Sequence, residues 1–157
     1  MKTRIGTDFI TNRKHIVEEY GKYLSDFAEW TLFFNVSFRR TSSYGWAKKR
    51  FKWFFKYLNT ENEIFFSNYV KCWVFYERHN TSRGSVHIHA LIDRVRPEQA
   101  EVIQKKARSY FGEWSKVEPY DPTRGAAYYV AKKIGNPKLL EFEFYVINSK
   151  FRRGNLN

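Results

Sequence analysis

The hydrophobic side chains change from a two-residue repeat to a helical repeat near residue 40, and this change constrains the fold more than any other feature. From Trp30 to Arg39 they alternate, so successive residues face opposite sides of a predicted strand. One face carries Leu32, Phe34, Val36 and Phe38, and the other carries Thr31, Phe33, Asn35 and Ser37. Residues 43–58 instead repeat at helical spacing, through Ala47, Phe51, Phe54, Phe55 and Leu58. A strand followed directly by a core-facing helix predicts an α+β domain.

The rest of the chain continues this alternation without a repeat, linker or low-complexity segment. Helices are predicted at 14–29, 97–111 and 121–134, and strands at 70–79, 85–92, 114–118 and 141–147. For 141–147 a helix is the alternative. The polar residues 80–84 read as the turn of a hairpin. We therefore predict one domain over 1–157.

The composition favours a polyanionic partner. The 157 residues include 28 Lys and Arg against 16 Asp and Glu, a net charge of +12. Ribosome-bound and membrane-surface proteins are also basic, so the charge gives a class of partner and no function. Aromatic residues make up 20%, most of them expected in the core and some available to stack on bases.

Other classes of protein are disfavoured by the composition. Cys72 is the single cysteine, which excludes an internal disulfide and a Cys-rich zinc site, and we expect it to be a buried, inert thiol. No apolar stretch approaches the roughly 18 residues that a membrane span needs. The expected location is the cytoplasm of the host cell, with no membrane partner.

The polar side of the helix at 43–58 is basic, with aromatic residues beside the lysines. It is either a solvated surface or a contact for the DNA backbone, and the aromatic residues favour contact. The candidate DNA-binding residues of the chain are Lys48, Lys49, Lys52, Arg83, Arg124 and Lys133.

A candidate metal site is centred on His87 and His89. Residues two apart in a strand point the same way, so these imidazoles project from one face with Cα atoms roughly 7 Å apart. If the hairpin is centred on Ser82, antiparallel pairing places Glu77 opposite His87. Two imidazoles and a carboxylate suit Mn²⁺ or Mg²⁺, and zinc also accepts these ligand types. His79 shares the face of Glu77 and is expected in a supporting or exposed position.

A candidate nucleophile lies on the helix near residue 130. Its apolar stripe leaves Tyr128, Tyr129 and Lys132 outside the core, and Lys132 is one turn from both tyrosines. A phenol, with a pKa near 10, is a poor nucleophile at neutral pH, but a nearby ammonium favours the phenolate. Taken alone, the segment could equally be surface tyrosines beside solvated lysines.

In combination these motifs resemble the HUH endonucleases, and within them the rolling-circle replication initiators of small plasmids and phages. The motif-bearing core runs from about 30 to 136. The metal motif corresponds to His87-Ile88-His89, the nucleophile motif to Tyr129-Val130-Ala131-Lys132, and an opening strand motif to 30–35. The resemblance implies a ferredoxin-like or RRM-like antiparallel sheet of four to five strands with helices packed on it.

The resemblance also implies a mechanism. Tyrosine attacks single-stranded DNA, leaving a covalent 5′-phosphotyrosine and a free 3′-hydroxyl. Tyr129 would be the nucleophile and Lys132 its helper, with Tyr128 as the alternative nucleophile. Initiators with a second tyrosine carry it four residues after the first, where this chain has Lys133, so one strand transfer per site is expected. Host helicase and polymerase would be partners of a monomer or weak dimer.

Two other functions remain open at this stage. A transposase of single-stranded insertion elements resembles the chain in size and in the His-x-His motif, but it usually pairs tyrosine with glutamine. A non-catalytic nucleic-acid-binding module of ferredoxin-like fold would use the basic and aromatic residues, and would leave the alignment of Glu77, His87 and His89 unexplained.

Overall fold

The computed structural model describes residues 5–40, 42–59, 69–78, 85–134, 136 and 138–148. Within them the chain forms four α-helices and five strands, which confirms the α+β prediction. The helices are α1 (Ile5–Phe27), α2 (Tyr44–Asn59), α3 (Ala100–Tyr110) and α4 (Ala126–Ala131). The strands are β1 (Trp30–Ser37), β2 (Tyr69–Arg78), β3 (Val86–Asp93), β4 (Lys116–Pro119) and β5 (Leu139–Asn148).

The strands form one open antiparallel sheet in the order β4-β1-β3-β2-β5. The predicted hairpin register is confirmed, since Glu77 on β2 pairs with His87 on β3. On the other side of β3, Asn35 of β1 pairs with His89. Ser37, His87 and Glu77 therefore form one row across three neighbouring strands, and Asn35 and His89 lie in the next row on the same face. The hairpin turn, with His79 and Arg83, lies outside the described residues.

One face of the sheet, here called the closed face, is covered by α2 and α3. The alternate residues Leu32, Phe34 and Val36 of β1 are fully buried there. The helical stripe predicted for α2 is confirmed, because Ala47, Phe51, Phe54, Phe55 and Leu58 are each at most 1% exposed. Full burial of such a side chain contributes roughly 1.5–3 kcal/mol, so this face is the main source of stability.

The opposite face, here called the open face, is partly covered by α1 and α4. Leu24 of α1 and Val130 of α4 pack with Phe75 and Leu91 of the sheet. The two helices touch closely at Gly21, where an added Cβ would lie 2.2 Å from Cδ1 of Tyr128. A side chain at residue 21 would therefore push the Tyr128 ring away.

Several predicted elements have different bounds in the structure. The N-terminal helix, expected over 14–29, is α1, which begins at Ile5 and ends at Phe27. The helix expected over 121–134 is divided, because Gly125 adopts a left-handed φ of 68° between a 3-10 turn at Pro122–Arg124 and α4. The strand expected at 114–118 begins later, at Lys116, after a turn closed by Ser115 N–H donating to Gly112 O. The segment 141–147, with two interpretations from sequence, is strand.

Two predictions from composition can be compared with the structure. Cys72, the single cysteine of the sequence, is fully buried in β2 as expected. No helix in the described part of the chain is both long enough and apolar enough to cross a bilayer.

Candidate active site

A polar pocket of about 270 Å³ lies on the open face, where β1, β2 and β3 meet the end of α4. Its lining residues are Asn35, Glu77, Arg78, His87, His89, Tyr129 and Lys133. The strand residues reach it by the two-residue alternation that buries their neighbours on the closed face. The three predicted metal ligands and the predicted nucleophile thus border the same pocket.

Glu77 is the electrostatic centre of this pocket. Its carboxylate oxygen Oε2 lies 3.2 Å from Nε2 of His89 and 2.8 Å from Nζ of Lys133. The hydrogen bond from His89 and the ion pair with Lys133 outweigh the effect of burial and lower the pKa of Glu77 to about 2. The carboxylate is therefore anionic at neutral pH.

The ring of His89 is almost completely buried, at 2% exposure. An ionised carboxylate only accepts hydrogen bonds, so the His89 nitrogen that contacts Glu77, Nε2, carries a proton. In the neutral ring Nδ1 then holds the free lone pair. Within the described residues Nδ1 has no hydrogen-bond partner, and neither has Oδ1 of Asn35, the residue paired with His89 in the sheet.

His87 lies nearer the edge of the pocket than His89. Its Nε2 is 3.4 Å from the hydroxyl oxygen of Ser37, and the two imidazole centroids are 6.4 Å apart. The two rings thus share one pocket at different depths, and Ser37 orients the outer one.

The donor chemistry of the pocket suits a divalent cation, although the donors do not form a closed cage. Two imidazoles, one carboxylate and the unpaired Asn35 oxygen are ligand types that Mn²⁺ accepts, and Mg²⁺ accepts the oxygens. Across the described ranges, no three His, Cys, Asp or Glu side chains form a group that could hold a metal ion. The ammonium of Lys133 lies at the carboxylate that an ion would use, so the two cations would have to share or exchange Glu77.

The two adjacent tyrosines have different surroundings. The Tyr129 ring centroid is 5.3 Å from that of His89 and 6.3 Å from that of Phe33, at the border of the polar pocket. Tyr128 instead lies against Gly21 of α1 and does not line the polar pocket. Of the two candidate nucleophiles, Tyr129 borders the polar pocket and Tyr128 does not.

The two adjacent lysines also differ in their positions relative to the polar pocket. Lys133, interpreted as a DNA contact, lines the polar pocket, and its Nζ is 4.9 Å from the Tyr129 ring centroid. Burial favours a lower pKa for Lys133, but the hydrogen bond and charge of Glu77 dominate and raise it. Lys132, interpreted as the helper, is exposed and does not line this pocket.

The remaining candidate DNA-binding residues are divided between the two faces. Arg124 lines a cavity of about 200 Å³ that Tyr129 and Asn35 also border, on the open face. The α2 lysines lie on the other side of the sheet. Lys48 forms ion pairs with Glu141 and Glu143 of β5, Lys52 lies 3.8 Å from Glu143, and Lys49 lies over the Trp53 ring. These contacts give the α2 lysines structural partners, away from the polar pocket.

Sequence reasoning assigned no site role to Asn35 or Arg78, both of which line the polar pocket. Asn35 could have been found, because the alternation of β1 already placed this amide on the face opposite the core. Arg78 follows Glu77 in the strand, so the alternation predicted that its side chain lies on the opposite face. No sequence pattern indicated that Arg78 lines the pocket.

Comparison with known protein families, with characterised proteins and with solved structures gave no significant match to this chain.

Proposed function

We propose that this protein nicks and rejoins single-stranded DNA through a covalent 5′-phosphotyrosine on Tyr129, with the help of Mn²⁺ or Mg²⁺. The observation that carries the proposal is that Tyr129 borders the same polar pocket as Glu77, His87 and His89. A nucleophile beside a set of cation ligands is the arrangement that phosphoryl transfer by tyrosine requires.

The topology supports the same proposal. The segment from β1 to β4 runs strand-helix-strand-strand-helix-strand with the sheet order β4-β1-β3-β2, and β5 adds an edge strand. We infer a ferredoxin-like domain of the HUH endonuclease type, with the histidines on the central strand and the tyrosine helix laid over one face. Initiation of rolling-circle replication of a plasmid or phage is the biological role that we propose.

The proposed reaction is one transesterification in each direction. The hydroxyl oxygen of Tyr129 bonds to phosphorus while the bond from phosphorus to the 3′ oxygen breaks. The phenol proton leaves to solvent, and the 3′ oxygen takes a proton from water. The DNA 5′ end stays on the enzyme, and a 3′-hydroxyl that attacks the phosphotyrosine reseals the strand. The free 3′-hydroxyl could also prime synthesis by a host polymerase.

The charged and metal-ligating residues around Tyr129 have separate roles in the proposed reaction. When bound by His87, His89 and Glu77, the metal ion would polarise the phosphate and offset its negative charge. Lys133 places a second positive charge beside Tyr129, where it can offset the negative charge of the phosphate under attack. Arg124 borders Tyr129 from the other side and supplies a guanidinium for a DNA phosphate.

The test is detection of the covalent adduct. The protein is incubated with Mn²⁺ and a labelled pool of random-sequence single-stranded oligonucleotides, denatured in SDS, and the modified peptide is identified by mass spectrometry. We expect an adduct on Tyr129 that is lost in Tyr129→Phe and with EDTA, and retained in Tyr128→Phe. An adduct that disappears in Tyr128→Phe but persists in Tyr129→Phe would contradict this assignment.

A second variant separates chemistry from binding. His89→Ala should abolish adduct formation while single-stranded DNA binding, measured by fluorescence anisotropy, changes less than about threefold. The melting temperature of each variant serves as the folding control. If DNA binding and melting temperature fall together with activity, His89 has a structural role.

A non-catalytic DNA-binding function is the second candidate, because the open face carries exposed aromatic rings. Phe142 and Phe144 of β5 are 41% and 39% exposed, and both contact the ring of Trp73 on β2. Such rings can stack on unpaired bases of any sequence. Tight binding of the oligonucleotide pool without an adduct under any metal condition would favour this function.

A further inference from the structure

A second cavity, larger than the polar pocket, lies between α1 and α4. This α1–α4 groove has a volume of about 700 Å³. Its cationic and aromatic lining residues are Arg13, Lys14, Tyr128, Tyr129, Lys132 and Lys133. It is formed by the N-terminal helix, which lies outside the motif-bearing core of the sequence.

The lining of the α1–α4 groove combines the two chemistries of a nucleotide. Two tyrosine rings and Val17 offer surface for a base, and four cationic side chains offer partners for phosphate. Among the described residues that line the groove, Glu18 is the one acidic side chain, and its carboxylate lies 4.0 Å from Nζ of Lys14. The balance of charge is therefore strongly positive.

The α1–α4 groove adjoins the polar pocket. Tyr129 and Lys133 line both cavities, so a ligand in the groove would reach the side of the proposed nucleophile. A pocket of this size suits one small ligand. A base that is paired in a duplex cannot enter such a groove, whereas an unpaired base can.

We propose that the α1–α4 groove binds the nucleotide next to the scissile phosphate of a single DNA strand. The base lies against Tyr128 and α1, and its backbone phosphate lies among Arg13, Lys14 and Lys132. This inference rests on the proposed function in placing the nucleotide beside the phosphate that is cleaved. The binding of an unpaired nucleotide itself can be tested without any cleavage.

Photocrosslinking gives a direct test. Tyr129→Phe protein is mixed with a short homopolymer of 5-iododeoxyuridine in EDTA, irradiated, digested and analysed by mass spectrometry. We expect crosslinks on Tyr128 and on the peptides of α1 that contain Arg13 or Lys14. Crosslinks confined to the aromatic residues of β5, or no complex at all with this probe, would overturn the proposal.

The cationic residues are tested by a matched pair of double variants. Lys14→Gln with Lys132→Gln removes two charges from the groove, and Lys56→Gln with Lys105→Gln removes two exposed charges from α2 and α3 on the closed side. For binding to single-stranded oligothymidine, the slope of log K against log salt should become shallower by up to about 0.7 in the groove variant, the contribution of the one phosphate contact that the groove provides. An equal or larger change in the α2–α3 variant would refute the groove as the binding site.

The outcomes separate this inference from the proposed function. Groove crosslinks without a covalent adduct on Tyr129 would support the nucleotide site and reject the nuclease. If the adduct forms on Tyr129, and its yield and salt dependence are the same in the groove variant as in the parent protein, the nuclease is supported and the nucleotide site is rejected.

Discussion

The two faces of the sheet are built from alternate residues of the same strands, yet they differ in almost every physical property. On the closed face, Phe34 of β1 packs against Phe51 and Phe54 of α2, and all three are fully buried. On the open face, the neighbouring Phe33 and Asn35 are half-buried and line the cavity that Arg124 and Tyr129 also border. One strand therefore supplies a core with one side and a candidate site with the other.

The distribution of unsatisfied polar atoms shows the same contrast. Four buried side-chain atoms in the described part of the chain lack a hydrogen-bond partner, and three lie on the open face, on Asn35, Trp73 and His89. Arg50 of α2 holds the fourth. Because such atoms cost about 1–3 kcal/mol each, the open face carries a stability cost that the closed face offsets. A face that tolerates this cost is a reasonable place for ligand binding.

The largest predicted effect is a difference in the free energy of unfolding between two phenylalanine variants, one on each face of the sheet. Phe54→Ala should lower the free energy of unfolding by about 3–5 kcal/mol, because the fully buried ring leaves a cavity among Phe34, Tyr110 and Phe111. Phe142→Ala should cost about 1 kcal/mol, since this ring is 41% exposed. Urea unfolding measures both. Equal losses would mean that the two faces contribute equally to the core.

The next effect concerns the charge of Glu77. Its lowered pKa means that the folded state favours the carboxylate, so its contribution is complete above the ordinary pKa of 4.5 and is lost as the pH falls through about 2. Glu77→Gln should therefore cost about 1.5–3 kcal/mol at pH 7, the usual range for a charged hydrogen bond. The difference between variant and parent should shrink steadily below pH 4.5 in urea unfolding. A difference that is the same at pH 7 and pH 3 would show that the charge is unimportant.

The sequence predicted the strand part of this site better than the helix part. Alternation and hairpin pairing were enough to align Glu77 with His87, because strand geometry has a two-residue period and a single register. Lys132 and Lys133, which directly follow α4, are both about one helical turn from Tyr129 in sequence, so periodicity alone could not choose between them. The choice depends on how α4 is rotated above the sheet. Gly125 and the contact at Gly21 help to set that rotation, and both are tertiary features.

A smaller effect is expected at Gly21, which sets the spacing of α1 and α4. A methyl group there would meet Cδ1 of Tyr128 at 2.2 Å and displace the ring, while the helix gains from losing a glycine. The cost of overpacking exceeds that gain, so Gly21→Ala should lower the free energy of unfolding by about 1–2 kcal/mol. Gly45→Ala on α2 is the control. Nothing lies within 4 Å of its added methyl group, and it should stabilise by up to about 1 kcal/mol. Similar shifts in urea midpoint for both variants would show that the helix contact at Gly21 is loose.

The smallest change in stability is expected at Lys132, and its comparison with Lys133 tests which of the two adjacent lysines belongs to the site. Lys132→Met should change the free energy of unfolding by less than about 0.5 kcal/mol, because the side chain is exposed. Lys133→Met should cost about 1–2 kcal/mol through loss of the ion pair with Glu77.

Binding of Mn²⁺ gives the sharper distinction between these lysines. Removal of the Lys133 ammonium takes away the cation that competes with a metal ion for the Glu77 carboxylate, so we expect Lys133→Met to bind Mn²⁺ several-fold more tightly in a titration followed by electron paramagnetic resonance. Adduct formation on Tyr129 should nevertheless fall, since the positive charge beside the phenol is lost. Lys132→Met should leave Mn²⁺ affinity unchanged. If Lys132→Met alters Mn²⁺ affinity and Lys133→Met does not, the charge beside Glu77 is not the one that competes with the metal ion.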